Sequence, residues 1–197
     1  MKKRIAFFDF DGTITTRDTL LEIIKYQKGT ARFYLGFILN APFLLLFKLG
    51  IISNQSAKER MLTHFFGKMS LPVFQEKCDA FAQEVIPTLV RPKAMAEIEK
   101  LKSLNAEIVI VSASAENWIS EWCKKNKLQL AGTRLETNGV RLTGKIAGTN
   151  CHGKEKVRRI KERYDLSQYQ EIYCYGDTNG DKPMLGLATI QFYAPFR

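Results

Sequence analysis

Cysteine is scarce in this chain and poorly spaced for metal. Cys78, Cys123, Cys151 and Cys174 are the only four, and no two form a CxxC pair. That spacing argues against a structural zinc site or a redox pair, and unpaired thiols fit a reducing cytoplasm. Internal repeats and low-complexity runs are missing too, which excludes a repeat array or a biased tail. Acidic residues are few, 20 Asp and Glu against 30 Lys and Arg, for a net charge of +10. A basic surface favours anionic partners such as phosphorylated metabolites or acidic lipid headgroups. The cations are mostly scattered, as on a solvated surface, and no nucleic-acid partner is expected. No leader is expected either. The start MKKR resembles the charged end of a signal peptide, but Asp9 and Asp11 interrupt the apolar region and no small-residue cleavage site follows. The N-terminus therefore reads as mature.

What is present starts with IAFFDFDGTITT, residues 5–16, an apolar run carrying Asp9 and Asp11. An ionised carboxylate buried without a partner costs on the order of several kcal/mol, so something must compensate the two. Ile5–Phe10 reads as a buried strand that stops at Gly12. A long, mostly helical stretch follows, about residues 19–90. KAMAEIEKLKSL then has helical periodicity, with Met95, Ile98, Leu101 and Leu104 on one face. EIVIVSAS is a buried, parallel-type strand. ENWISEWCKKN is a helix with Trp118 and Trp122 stacked toward the core, and Asn138-Gly139 marks a hairpin. KEKVRRIKERY is a basic helix, EIYCYGDTNGD a strand running into a turn, MLGLA the start of a helix and TIQFYA a last strand. Alternating strands and helices predict an α/β fold: a doubly wound, Rossmann-like parallel sheet, with ligands beyond the carboxyl ends of its strands.

Asp9 with Asp11, Ser112, and Asp177 with Asp181 each follow an apolar, strand-like run. Three strands thus deliver polar groups to one edge of the sheet. Crowded carboxylates hold protons unless a cation sits among them. Mg²⁺ suits this set, since it takes hard oxygen ligands and usually only one or two carboxylates with phosphate and water. Asp181 is also placed to cap the helix that follows it.

DFDGT (Asp9–Thr13) resembles motif I of the haloacid dehalogenase superfamily. IVIVSAS, ending near Ser112, resembles motif II, a lysine after residue 150 would be motif III, and YGDTNGD, with Asp177 and Asp181, resembles motif IV. The resemblance covers a core of residues 1–16 and 92–197, and the insert, residues 17–91, is similar to the helical C1 cap of the phosphoserine-phosphatase-like branch, subfamily IB. It implies a phosphatase acting on a phosphate monoester. Asp9 would be the nucleophile, forming an aspartyl-phosphate, and Asp11 the acid and base. Mg²⁺ would be held by Asp9, the Asp11 backbone carbonyl and Asp177, with Asp181 as ligand or behind one. Ser112 Oγ and the backbone N–H groups beside it, as at Ala113, would bind phosphate oxygens. The lysine would be Lys156, which fits the pattern with Val157 and Ile160, with Lys154 as its rival. Motif IV departs from phosphoserine phosphatases, since Gly180 precedes Asp181 where they carry Asn. That form, and the ending FYAPF, resemble a branch that includes bacterial phosphatidylglycerophosphate phosphatases.

Within the insert, Asp18 and Arg60 match positions that would meet a substrate's amine and carboxylate; Asp18 also reads as a cap of the helix that starts at Thr19, and Arg60 as a solvated helix residue. Residues 33–52, FYLGFILNAPFLLLFKLGII, carry one charge, Lys48. A membrane-spanning segment here would put the two parts of the core on opposite sides. The alternatives are buried cap helices broken near Pro42, or an apolar cap surface in peripheral contact with a membrane or an acyl chain. The expected partner is accordingly a small phosphorylated substrate or, in the alternative reading, a lipid phosphate hydrolysed at a membrane surface. A phosphotransferase or a phospho-acceptor signalling module would use similar residues, but signalling modules usually lack an acid at the Asp11 position and a large cap. The protein is expected in the cytoplasm, free or associated with the membrane.

Overall fold

The computed structural model describes residues 2–197. In chain order the elements are β1 (Arg4–Phe8), α1 (Thr19–Lys28), α2 (Thr30–Lys48), α3 (Asn54–Phe66), α4 (Leu71–Glu84), α5 (Ile86–Leu89), α6 (Pro92–Ser103), β2 (Glu107–Ala115), α7 (Glu116–Lys125), β3 (Gln129–Thr133), β4 (Leu135–Asn138), β5 (Arg141–Ile146), α8 (Lys154–Arg163), β6 (Glu171–Gly176), α9 (Lys182–Leu185) and β7 (Ile190–Tyr193). Five strands form one parallel sheet in the order β3-β2-β1-β6-β7, and β4-β5 is a separate hairpin. The α/β reading holds.

Side chains alternate across the sheet, because successive strand residues point to opposite faces. Ala6, Phe8 and Ile110 join a core with Ile98, Leu101, Trp118 and Trp122 from α6 and α7. Ile5, Phe7, Val109 and Val111 join a second core with Ile160 and Met184 from α8 and α9. Register then lines up the strand ends. Phe8 pairs with Ile110 on β2 and with Tyr175 on β6, and Tyr175 with Phe192 on β7. The rings of Phe8, Tyr175 and Phe192 stack in a row, with centroids 4.1 and 4.7 Å apart. Directly beyond this stack lie Asp9 and Asp177.

Helices α1–α5 fill the interval between β1 and α6. The two connections to the sheet run side by side, bridged at Thr15 and Val90 and by Thr16 N–H to Leu89 O (2.8 Å) and Arg91 N–H to Ile14 O (2.8 Å). The β4-β5 hairpin packs under α3 and is tied to the helical insert by Lys68 N–H to Leu142 O (2.8 Å) and Leu71 N–H to Val140 O (2.7 Å).

The structure adds one element and corrects one expectation. The edge strand β3 is not apparent in the sequence, because Gln129–Thr133 is short and lacks an apolar run. Residues 33–52 are not buried helices broken at Pro42 either. Most of them lie in α2, one continuous helix with Pro42 inside, of which only Phe33, Gly36 and Asn40 are buried. These three fall along one stripe of the helix, and the amide of Asn40 stays bonded within it, donating to Gly36 O (2.7 Å).

Candidate active site

The sheet's carboxyl edge gathers the polar residues. Asp9 follows β1 and extends the ladder by one bond, its N–H donating to Tyr175 O (2.9 Å). Gly12, at φ +82°, turns the chain away immediately afterwards. Asp9, Asp177 and Asp181 are buried, and each offers an oxygen within 4.8 Å of the others. Thr13 Oγ1 lies between two of them, 3.3 Å from Asp9 Oδ2 and 3.1 Å from Asp177 Oδ1.

Lys156 answers the cation question that Asp9 raises. Its buried Nζ donates to Asp9 Oδ1 (2.5 Å) and Asp181 Oδ1 (2.7 Å). Lys154 begins the same helix and is exposed. Desolvation would lower the Lys156 pKa, but Asp9 and Asp181 overcome it and raise the pKa above the ordinary ammonium value. Burial pushes the Asp9 carboxyl up to about 7, against the pull of Lys156. Asp181 is also pushed up by burial, yet Lys156 and Thr178 bring it below its ordinary value. Its other oxygen, Oδ2, accepts from Thr178 N–H (2.9 Å) and Thr178 Oγ1 (2.8 Å), so Asp181 holds the turn as well as the lysine. The Arg197 guanidinium pairs with Asp177 Oδ2.

Asp11 stands apart from the three-carboxylate group. Its Oδ1 accepts from Thr19 N–H (2.7 Å) and its Oδ2 from Ser114 Oγ (2.5 Å). Asp9, Asp11, Asp18, Lys58, Ala113, Ser114, His152 and Lys156 nevertheless line one cleft of about 230 Å³. Ser112 is fully buried just behind, its Oγ accepting from Ser114 N–H (3.0 Å). The β2-β3 register slips between Val111 and Ala115, where these serines sit.

The insert reaches the cleft through Asp18, Leu20, Asn54 and Lys58, of which Asp18 and Lys58 carry charge. Asp18 caps α1, its Oδ1 accepting from Leu21 N–H (3.1 Å), and it also faces the cleft. Desolvation there and the neighbouring Asp11 push its carboxyl up to about 6, while its outer edge stays open to solvent. The second is Lys58 on α3, which the sequence reading missed. Its Nζ donates to Ala113 O (2.8 Å) and lies 3.4 Å from Asn150 Oδ1. Burial lowers its pKa, and Asp11 and Asp18 oppose that. Arg60 is not brought to the cleft, which corrects its expected role against a substrate carboxylate. Its guanidinium is held by Asn40 Oδ1 (2.9 Å) and stands over the Phe43 ring. Ser114 was also missed, although it follows Ser112 at the strand spacing that puts both on one side.

The residues present fit Mg²⁺. Three buried carboxylates converge as hard oxygen donors. Asp9, driven toward its protonated form by burial and by Asp181, is a group that a cation would return to the carboxylate.

The sequence pattern described as haloacid dehalogenase-like hydrolase matches residues 6–186. Protein CicA of Caulobacter vibrioides is 31% identical over 195 residues, covering 98% of this chain and 86% of that protein. Among solved structures, a protein with unknown function from Bordetella pertussis Tohama I superposes with a TM-score of 0.85 at 21% identity, covering 97% of this chain and 89% of the other. A phosphoserine phosphatase in its apo form superposes with a TM-score of 0.69 at 17% identity, covering 98% and 86%.

Proposed function

We propose that this chain, which belongs to the haloacid dehalogenase-like hydrolase family, is a Mg²⁺-dependent phosphatase that cleaves a small phosphate monoester through an aspartyl-phosphate. The observation that carries the reading is the pairing of Asp9 and Asp11 on one cleft, with Asp9 against Lys156 and Asp11 held apart from the carboxylate group.

In this reading the Asp9 carboxylate attacks phosphorus and the bond to the ester oxygen breaks. Asp11 gives its proton to the departing oxygen, then takes one from the water that hydrolyses the aspartyl-phosphate, releasing phosphate and restoring Asp9. The bonds from Thr19 and Ser114 hold the Asp11 side chain in place through both steps. Lys156 offsets the negative charge gathered around Asp9 and Asp181. Ser112 and the backbone N–H at Ala113 are assigned to the phosphate oxygens. Asp9, Asp177 and the Asp11 carbonyl would hold Mg²⁺, with Asp181 as ligand or support, and the ion would neutralise phosphoryl charge.

The insert, residues 17–91, acts as the cap, and Lys58 with Asp18 faces the part of the substrate beyond the phosphate. Lys58 at that position would meet an anionic group of the ester, and Asp18 beside it a cationic one. The exposed apolar face of α2 favours a second reading in which that ester is a lipid phosphate. The test is turnover of an aryl phosphate with and without Mg²⁺ and EDTA, combined with acid-quench trapping of the phosphoenzyme. Turnover that ignores the metal, or a phosphoenzyme that still forms in Asp9→Asn, overturns the mechanism. A panel of phosphoserine, sugar phosphates, nucleotides and phosphatidylglycerophosphate, with and without micelles, separates the two substrate classes.

A further inference from the structure

Helix α2 is apolar around its whole circumference and almost bare. Its most apolar window has a mean hydropathy of 1.5, yet only 17% of it is buried. The buried stripe of Phe33, Gly36 and Asn40 seats on α3, where Gly36 meets the Phe65 and His64 rings. Phe37 and Leu44 pack partly beside that stripe, and most of the remaining apolar side chains face outward. Leu35, Ile38, Leu39, Leu45, Leu49 and Ile51 are each more than half exposed. A helix that is apolar all round belongs in a core or in lipid, and a contiguous exposed patch of this kind marks an interaction site.

The charges around the patch identify what covers it. From Ile23 to Ala57 the chain holds four cations, Lys25, Lys28, Arg32 and Lys48, and no Asp or Glu, and of these Lys25 is paired with Glu22. Lys28, Arg32 and His64 border, together with Leu35, Leu39 and Phe65, a groove of about 290 Å³ between α2 and α3. An apolar floor with a basic rim and no acid suits an anionic amphiphile. A second copy of this chain suits it poorly, because a two-fold interface sets the same patch against itself and would bring unpaired cations together.

The helix cannot cross a bilayer. β1 precedes it and pairs with β2 and β6, which both follow it, so one crossing would tear the sheet apart. It can lie in the interface plane, as basic apolar helices do.

We propose that α2 and the turn after it form a docking surface for an anionic lipid bilayer. The apolar side chains enter the boundary between headgroups and acyl chains, and Lys28, Arg32 and Lys48 meet lipid phosphates. This surface does not depend on which ester the enzyme hydrolyses, nor on its being a phosphatase.

The test is flotation of the full chain with vesicles of phosphatidylcholine alone and of phosphatidylcholine mixed with phosphatidylglycerol. The chain is expected to float with the mixed vesicles and to lose about tenfold or more in partitioning with phosphatidylcholine alone or at high salt. Similar losses are expected in Ile38→Ser/Leu39→Ser and in Lys28→Gln/Arg32→Gln, with melting temperature and aryl phosphate turnover retained. Should a double variant fail to fold, a blue shift of Ile38→Trp emission on adding mixed vesicles gives the same answer. The proposal is overturned by a wild-type chain that stays with the aqueous phase. It is equally overturned by variants that float like wild type, or by a dimer that depends on Ile38 and Leu39 and excludes vesicles.

Discussion

Gly12 lies against Asp177 so closely that a Cβ built on it would stand 2.5 Å from Asp177 Oδ2. The glycine is required twice, once by its φ of +82° and once by the carboxylate beside it. Gly12→Ala is expected to cost about 1–3 kcal/mol of stability through backbone strain alone. The same change pushes Asp177 out of place, so the Mg²⁺ concentration for half-maximal turnover should rise. Thermal melts and a metal titration of aryl phosphate turnover check both; an unchanged metal requirement would show that Asp177 takes no part.

Lys156 holds two buried carboxylates. Lys156→Met leaves both without their cation and is expected to destabilise the fold by about 3–5 kcal/mol, with turnover lost. Lys154→Met changes an exposed residue and should stay within about 0.5 kcal/mol of wild type. Urea denaturation of the two variants, side by side, measures the difference.

Asp9→Asn should abolish turnover and phosphoenzyme together. Asp11→Asn removes the proton donor instead, and its rate is expected to fall by about 10²–10⁴-fold. The loss should be smaller with an aryl phosphate whose leaving group needs no proton. Single-turnover rates across leaving groups of different acidity test this; a uniform loss would count against Asp11 as the acid.

Lys58 and Arg60 separate binding from packing. Lys58→Ala should raise KM about tenfold for a substrate with a second anionic group. Arg60→Ala loses the bond to Asn40 (2.9 Å) and about 1 kcal/mol of stability, with KM unchanged. Steady-state kinetics and melts on both variants decide whether the lysine of the insert meets the substrate.

Glu171, at the start of β6, accepts from Lys2 (2.9 Å) and Arg4 (2.6 Å). These hydrogen bonds, with one from Tyr173, lower its pKa from 4.5 to about 2. A depressed folded-state pKa means stability that is present above the unfolded value and lost on acidification. The advantage of wild type over Glu171→Gln should therefore be full at neutral pH and shrink as pH falls from 4.5 to about 2. Urea midpoints over that range measure it, and a constant difference would contradict the assignment.

The strands that carry chemistry were legible because their apolar runs end abruptly in Asp or Ser. β3 was not, since an edge strand of five residues with Gly132 inside leaves no periodic trace. The exposure of α2 was also hidden, because an apolar sequence says that a helix avoids water without saying what covers it. Ser114 was obscured by its neighbour Ser112, which sits in the more familiar position.

The sequence by itself determined which groups exist for the chemistry and their order along the chain. Apolar strands followed by Asp9, Ser112 and Asp177 can only meet at one edge of a parallel sheet. The tertiary structure decided between near neighbours. Residues two apart on a helix point about 200° from each other, so Lys154 and Lys156, or Lys58 and Arg60, cannot both face one site. Which of each pair turns inward depends on how α8 and α3 are rotated by their packing against the sheet and the insert. That rotation is set by contacts between elements far apart in the chain, and it put Lys156 and Lys58 on the cleft.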